Sequence, residues 1–258
     1  FEEYDALARQ VADPTFGAQV YGTHYHTWRS AVQLFGVLDG KHSILDGEYD
    51  FFKPYYEMVL GQEDDQICRN YADLSAEGLH YSAAFSGGDV AMMNMGSWFI
   101  STMIANLQSG EYDSSLCGNW GMVKYPHAEG VEAGSTLGTI TGLSVTSVSE
   151  QKQAAFDFVA WVSGAEGAKV MAETGNFPAL MNDEVAGIIS GLDGFPTDDA
   201  SKEALNVSNL YLEVPYAENV SAINDILDTY HKSIMNREIS IDDGIAAMNE
   251  EVGKVLAQ

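Results

Sequence analysis

Phe85–Asn106 reads FSGGDVAMMNMGSWFISTMIAN. Ser86 to Asp89 spells a polar turn, and Val90 to Met95 can lie extended. Gly96 permits a sharp backbone turn because it lacks a Cβ. Ser97 is a good N-cap for a helix reaching about Leu107. Trp98 then takes the first helical position, beside backbone N–H groups that no helical carbonyl can reach. An indole face next to free donors suits a ring with apolar C–H faces and hydroxyl edges, which describes a sugar. The strand–turn–helix by itself favours a core role for Trp98.

Outward from this stretch, strands alternate with helices. Glu2–Val11 has helical spacing, with Tyr4, Leu7, Ala8 and Val11 on one face, and Asp13-Pro14 ends it. Gln19 to Gly22 reads as a short strand leading into His24-Tyr25-His26-Thr27-Trp28. A helix to about Leu38 follows, with Ala31, Val32, Phe35 and Leu38 inward. Phe52–Leu60 begins another helix, and Ser75–Ala84 is helical. Met122–Tyr125 reads as a strand stopped by Pro126, and Leu137–Thr146 as a second, rich in Thr, Ile and Val.

Gln151–Val162 carries the clearest apolar stripe: Ala154, Ala155, Phe158, Val159 and Val162. Ser147 and Glu150 are placed for a capping box, and Gly164 for a stop. Trp120 and Trp161 are assigned to the core, as are Met92, Met93 and Met95. Glu166–Glu173 and Ala200–Leu205 read as helices, and Asp183–Gly194 as weakly structured. Ser221–Met235 is amphipathic, with Ile223, Ile226, Leu227, Tyr230 and Ile234 buried. Ile241–Leu256 is the last helix. The alternation gives an α/β class.

Composition narrows the function. The 258 residues hold 46% apolar side chains, enough for a sizeable core. The net charge of −26, with 12 Lys and Arg, speaks against nucleic acid and against anionic membranes. It favours neutral or cationic ligands. No apolar run is long enough for a membrane span. Cys68 and Cys117 are too few for a disulfide framework and read as buried thiols. His24 and His26 share one side of a strand without a third ligand, so no metal is assigned, and no cofactor is expected.

Phe85, Gly88, Ala91–Met93 and Gly96-Ser97-Trp98 resemble the F-x-x-G-x-x-A-M-x-x-x-G-x-W stretch of extracellular solute-binding proteins of ABC importers. The sugar- and oligosaccharide-binding branch, similar to maltose-binding proteins, is the nearest. Four further segments resemble that family in the expected order. They are Trp120–Pro126, Gly138–Ser144, Ser147–Val162 and Gly175-Asn176-Phe177-Pro178-Ala179. Ser97 stands where maltose-binding relatives commonly have Pro, which weakens a maltose assignment.

The resemblance implies a two-lobe periplasmic-binding-protein-like fold of type II, with the first lobe incomplete in this chain. Residues 1–134 would belong mostly to the second lobe, 135–181 to the first, and 182–258 again to the second. The crossings would be hinges that close around a ligand. It also implies a monomer that binds carbohydrate, does no chemistry and delivers its cargo to a membrane permease. The protein would sit in the periplasm or be lipid-anchored on the extracellular face. Phe1 follows no initiator Met, signal region or lipobox, so the leader is expected in a part that this chain lacks.

The site residues implied are Tyr25, His26 and Trp28 at a strand-to-helix transition, and Gly96, Ser97 and Trp98 at the turn. To these are added Thr139 and Thr141 on the crossing strand, and Tyr216, Glu218, Asn219 and Asn224 around the start of the long helix. Aromatic rings would stack on sugar faces, while amides, carboxylates and hydroxyls meet the edges. Two rivals remain at this point. A glycoside hydrolase would need two carboxylates about 5 to 10 Å apart, and nothing singles out such a pair. A binding protein for a cation such as a polyamine would suit the negative charge.

Overall fold

The computed structural model describes residues 1–12 and 20–257. The expected helix stop at Asp13-Pro14 and the start of the Gln19–Gly22 strand lie outside the described residues. In chain order the α-helices are α1 (Glu2–Val11), α2 (Lys53–Asp64), α3 (Tyr71–Glu77), α4 (Tyr81–Ser86), α5 (Trp98–Ser109), α6 (Ser114–Cys117), α7 (Lys152–Val162), α8 (Ala165–Glu173), α9 (Asp183–Ser190), α10 (Asp199–Glu203), α11 (Val220–Met235) and α12 (Ile241–Leu256). Strands β1 (Ser135–Gly138) and β2 (Asn209–Leu212) pair in parallel, Ser135 opposite Asn209. The chain forms two compact units and passes between them four times. One comprises residues 1–94, 125–139 and 207–258, the other 95–124 and 140–206.

The first unit is built on a large core. Leu34, Phe35, Leu38, Tyr49, Phe52 and Tyr56 pack with Ile223, Leu227 and Ile234 of α11 and Met248 and Val252 of α12. Both long helices form as expected, because their apolar residues recur at helical spacing and meet one shared core, although Ile226 and Tyr230 of α11 are only half-buried. Ser240 caps α12 by accepting from the Asp243 N–H at 3.1 Å. Ala31, Val32, Phe35 and Leu38 are buried as expected, but on 3-10 turns, Arg29–Ala31 and Gln33–Asp39, instead of an α-helix. In α1, Ala8 is buried whereas Leu7 is 48% exposed. The expected Ser75–Ala84 helix is two helices. They are broken at Gly78, which adopts φ 61, a conformation that costs glycine little.

The second unit has a smaller core of Ile100, Ala168, Ala172, Val185, Ile189, Phe195 and Leu205, with Trp120 and Met122 against it. Residues 183–190 form helix α9, because the Asn182 side chain accepts from the Val185 N–H at 2.9 Å. This corrects the sequence reading of Asp183–Gly194 as weakly structured. Helix α7 forms as its periodicity implies, yet none of its residues is buried. Phe156 and Phe158 are each 59% exposed and Trp161 48%, so the core assignment of Trp161 and of the α7 stripe fails in this chain. Gln151 makes no capping bond with its side chain. Its N–H goes to Ser149 Oγ at 3.1 Å, which replaces the expected Ser147–Glu150 box. Gly164 stands just past the cap of α7, where its N–H reaches Trp161 O at 3.0 Å, and it also opens α8.

Strands are fewer than the pattern suggested. The Val90–Met95 segment runs parallel to Tyr21–His24, and among the described residues it pairs only at Tyr21–Val90 and His24–Met93. The ladder is interrupted because the Gly22 N–H is diverted to Ile67 O at 2.8 Å. Of Leu137–Thr146 only the start is strand: β2 ends at Leu212, and a strand needs a partner to persist. Met122–Tyr125 is not a strand, since the Met122 N–H is taken by Ser201 Oγ at 2.8 Å.

Candidate functional site

In the first unit, the segment from Tyr21 is held against residues 89–92 by three backbone bonds. Tyr21 N–H reaches Asp89 O at 2.7 Å, Ala91 N–H reaches Tyr21 O at 2.9 Å, and His24 N–H reaches Met92 O at 2.9 Å. Thr23, His24 and Tyr25 are buried by this pairing. Tyr25 lies in the core and donates its hydroxyl to Gln62 Oε1 at 2.8 Å, so it offers no ring face to solvent. The chain emerges at Trp28, which is extended and 42% exposed.

Around Trp28 the fold gathers rings that sequence reasoning did not combine. His26 stands edge-on to Trp28 with centroids 4.4 Å apart, and edge-on to Tyr81 at 5.4 Å. Trp28 and Tyr81 are 5.6 Å apart at 60°, and His80 packs on Tyr81 at 4.0 Å. His80 and Tyr81 come from the start of α4, distant in sequence, and their signal was an aromatic pair at a helix N-terminus. Burial, then the neighbouring His80, holds the His26 pKa below its ordinary value. Among the described residues, His26 Nδ1 and both ring nitrogens of His24 are buried without a hydrogen-bond partner. Burial, reinforced by His26 and Arg69, pushes His24 down to about 4. At neutral pH these rings are therefore uncharged.

The residue after Trp28 turns inward. Arg29 is 5% exposed. Its Nε donates to Asn224 Oδ1 at 3.0 Å and its Nη2 to the same oxygen. Its Nη1 donates to Gln33 Oε1 at 3.3 Å. The network continues from Gln33 Nε2 to the Tyr56 hydroxyl at 2.8 Å, which meets His231 Nδ1 at 3.0 Å. Desolvation by burial lowers the Arg29 pKa from its ordinary value. Sequence reasoning missed Arg29. The signal available was a cation set among apolar residues in a chain poor in cations.

The remaining candidates of this unit are spread along its surface. Thr139 is exposed and donates Oγ1 to Glu213 Oε2. Tyr216 is fully exposed, and Glu218 and Asn219 are exposed. Asn219 stands at the N-cap of α11 without capping it, and its Nδ2 reaches Val255 O at 3.5 Å. Asn224 is half-buried, held through its oxygen by Arg29.

In the second unit, α5 begins at Trp98 as expected and ends at Ser109. Trp98 is 41% exposed. The indole lies over Gly96, where an added Cβ would fall 2.1 Å from its six-membered ring. Gly96 is thus required for the ring's position. Ser97 does not cap the helix with its side chain. The N–H groups of Phe99 and Ile100 reach the carbonyls of Gly96 and Ser97 at 3.0 and 3.1 Å. The donors expected to be free beside Trp98 are therefore engaged, because the first turn is wound tightly. Thr141 is exposed in an irregular stretch of this unit. Met92 and Met93 of the first unit and Met95 of the second are half-buried, packing less deeply than a core position implies.

This chain belongs to the bacterial extracellular solute-binding proteins, whose sequence profile matches residues 49–190. Its structure is similar to that of a sugar transporter from Rhizobium etli in an open conformation, with a TM-score of 0.87 and 46% identity over 97% of this chain. It is also similar in fold to an ABC substrate-binding protein from Listeria monocytogenes in complex with cycloalternan, with a TM-score of 0.71 and 18% identity over 99% of this chain. The chain spans 63% of the length of each of these proteins. Comparison with curated protein sequences finds no match. The fold is α/β, rich in helix, and of the periplasmic-binding-protein class.

Proposed function

We propose that this protein is the substrate-binding component of an ABC importer: it captures a carbohydrate, most simply an oligosaccharide, and hands it to a membrane permease without altering it. The observation that carries the reading is Trp28, an exposed indole backed edge-on by His26 and flanked by Tyr81. A ring held this way gives a sugar's C–H face a rigid platform at little entropic cost. Trp98, exposed on the second unit, is a second platform. Asn224, Asn219 and Glu218 supply amide and carboxylate groups for hydroxyl edges. Tyr25 is left out of this set because its ring is enclosed. The similarity to a sugar transporter supports the same reading. The protein works as a monomer in the periplasm or anchored by lipid at the outer face of the membrane.

The test is titration of the natural full-length protein with mono- and oligosaccharides, followed by tryptophan fluorescence. A saturable response is expected, with affinity reduced about tenfold or more in Trp28→Ala and in Trp98→Ala. Turnover of the bound sugar over hours would replace this reading with a glycosidase. Saturable binding of polyamines in place of sugars would replace it with the cation carrier.

A further inference from the structure

Arg29 is buried, yet its charge has no counter-charge in contact among the described residues. Its three hydrogen bonds go to the neutral amide oxygens of Asn224 and Gln33. Among the described residues, no carboxylate lies within the 4.0 Å of an ion pair with its guanidinium. The two acids whose field reaches it are Glu213 and Asp228. Glu213 accepts from Thr139, and Asp228 pairs with Lys232 at 2.5 Å. A chain with 38 Asp and Glu against 12 Lys and Arg does not leave a guanidinium unpaired for want of acids. Burying an unpaired charge is costly, and it persists where something else offsets the cost.

The unused valences are specific. A guanidinium has five N–H donors, and Arg29 has three engaged, which leaves two. Asn224 takes both of its bonds from Arg29 on Oδ1, so its Nδ2 hydrogens remain available to a further acceptor. Arg29 directly follows the exposed platform Trp28, and Asn224 lies in the first turns of α11. A planar group with two anionic oxygens matches one guanidinium N–H and one amide N–H together.

We propose that Arg29 and Asn224 receive a carboxylate of the bound carbohydrate, so that the cargo is an acidic sugar of the uronate class. This rests on the carbohydrate reading above. The buried charge is paired only when cargo is bound. Selectivity against neutral sugars then follows from the cost of leaving Arg29 uncompensated.

The experiment is calorimetric titration of the natural full-length protein with matched probes. These are α- and β-linked gluco-, galacto- and xylo-disaccharides, each beside the same disaccharide bearing a uronate. The acidic member of at least one pair should bind about 10- to 100-fold more tightly than its neutral partner. Arg29→Gln should erase that advantage, and Arg29→Lys should keep part of it. Should Arg29→Gln fail to fold, Asn224→Ala, at a half-buried position, should still reduce the ratio. A neutral member that binds as well as its uronate overturns this inference and leaves the carbohydrate reading standing. An absence of binding to every probe, neutral and acidic, overturns both.

Discussion

Trp98 and Tyr25 show how far a residue type informs and where it stops. Both are aromatic residues at turns that resemble the family's binding positions. One ring lies exposed over Gly96 and the other is enclosed with its hydroxyl on Gln62. The difference comes from what packs behind each, which no local spacing encodes. The buried histidines yield a prediction at this scale. His24 titrates near 4 in the folded chain against an ordinary value of 6.5. A lowered histidine leaves the unfolded chain binding more protons between those values. Its contribution to stability is therefore complete above about pH 6.5 and lost as pH falls towards 4. His231, pushed to about 3 by burial, acts in the same direction. Glu63, raised by burial to about 7 from 4.5, acts in the opposite one, favouring the fold below about pH 4.5 and less so as pH rises through 7. Denaturant titrations at pH 7 and pH 4 should show His24→Phe relieving on the order of 3 kcal/mol of acid-induced loss. Parallel curves for the variant and the natural chain would remove His24 from the account.

At the scale of elements, periodicity placed helices well and judged burial poorly. α7 and α11 both carry apolar stripes. In α11 the stripe meets the first core, with Ile223, Leu227 and Ile234 fully buried, while in α7 no residue is buried. A stripe states that a helix wants a partner, and the partner must come from elsewhere in the polypeptide. In the 258-residue chain, Phe158→Ala should change stability by less than about 1 kcal/mol. Ile189→Ala in α9, which is fully buried, should cost about 2 to 5 kcal/mol. Urea unfolding of the two variants decides it, and equal losses would mean that α7 is covered. Strands were less legible than helices. Thr- and Val-rich runs such as Leu137–Thr146 have the right composition, but their hydrogen bonds depend on a neighbour whose sequence position is far away.

On the scale of the whole molecule, charge is the dominant feature. A net charge of −26 on 258 residues repels itself in the compact state. Raising sodium chloride from about 10 mM to 500 mM shortens the screening length from about 30 Å to a few ångströms. The melting temperature should therefore rise across that range, and a fall would show that the surface ion pairs outweigh the repulsion. The sequence by itself determined the class. Its motifs in order resemble the solute-binding family and its alternating pattern reads as α/β, because both are legible as local order along the chain. It also supplied Trp28, Trp98 and Asn224 as candidates. Only the tertiary structure decided which candidates stay partly exposed and which are enclosed. It alone gathered His80 and Tyr81 beside Trp28, and it alone left Arg29 buried beside Asn224, 195 residues away, with no acid among the described residues in contact. The physical reason is that burial and pairing are relations between distant segments: hydrogen bonds and contacts form at a few ångströms, whatever the separation along the chain.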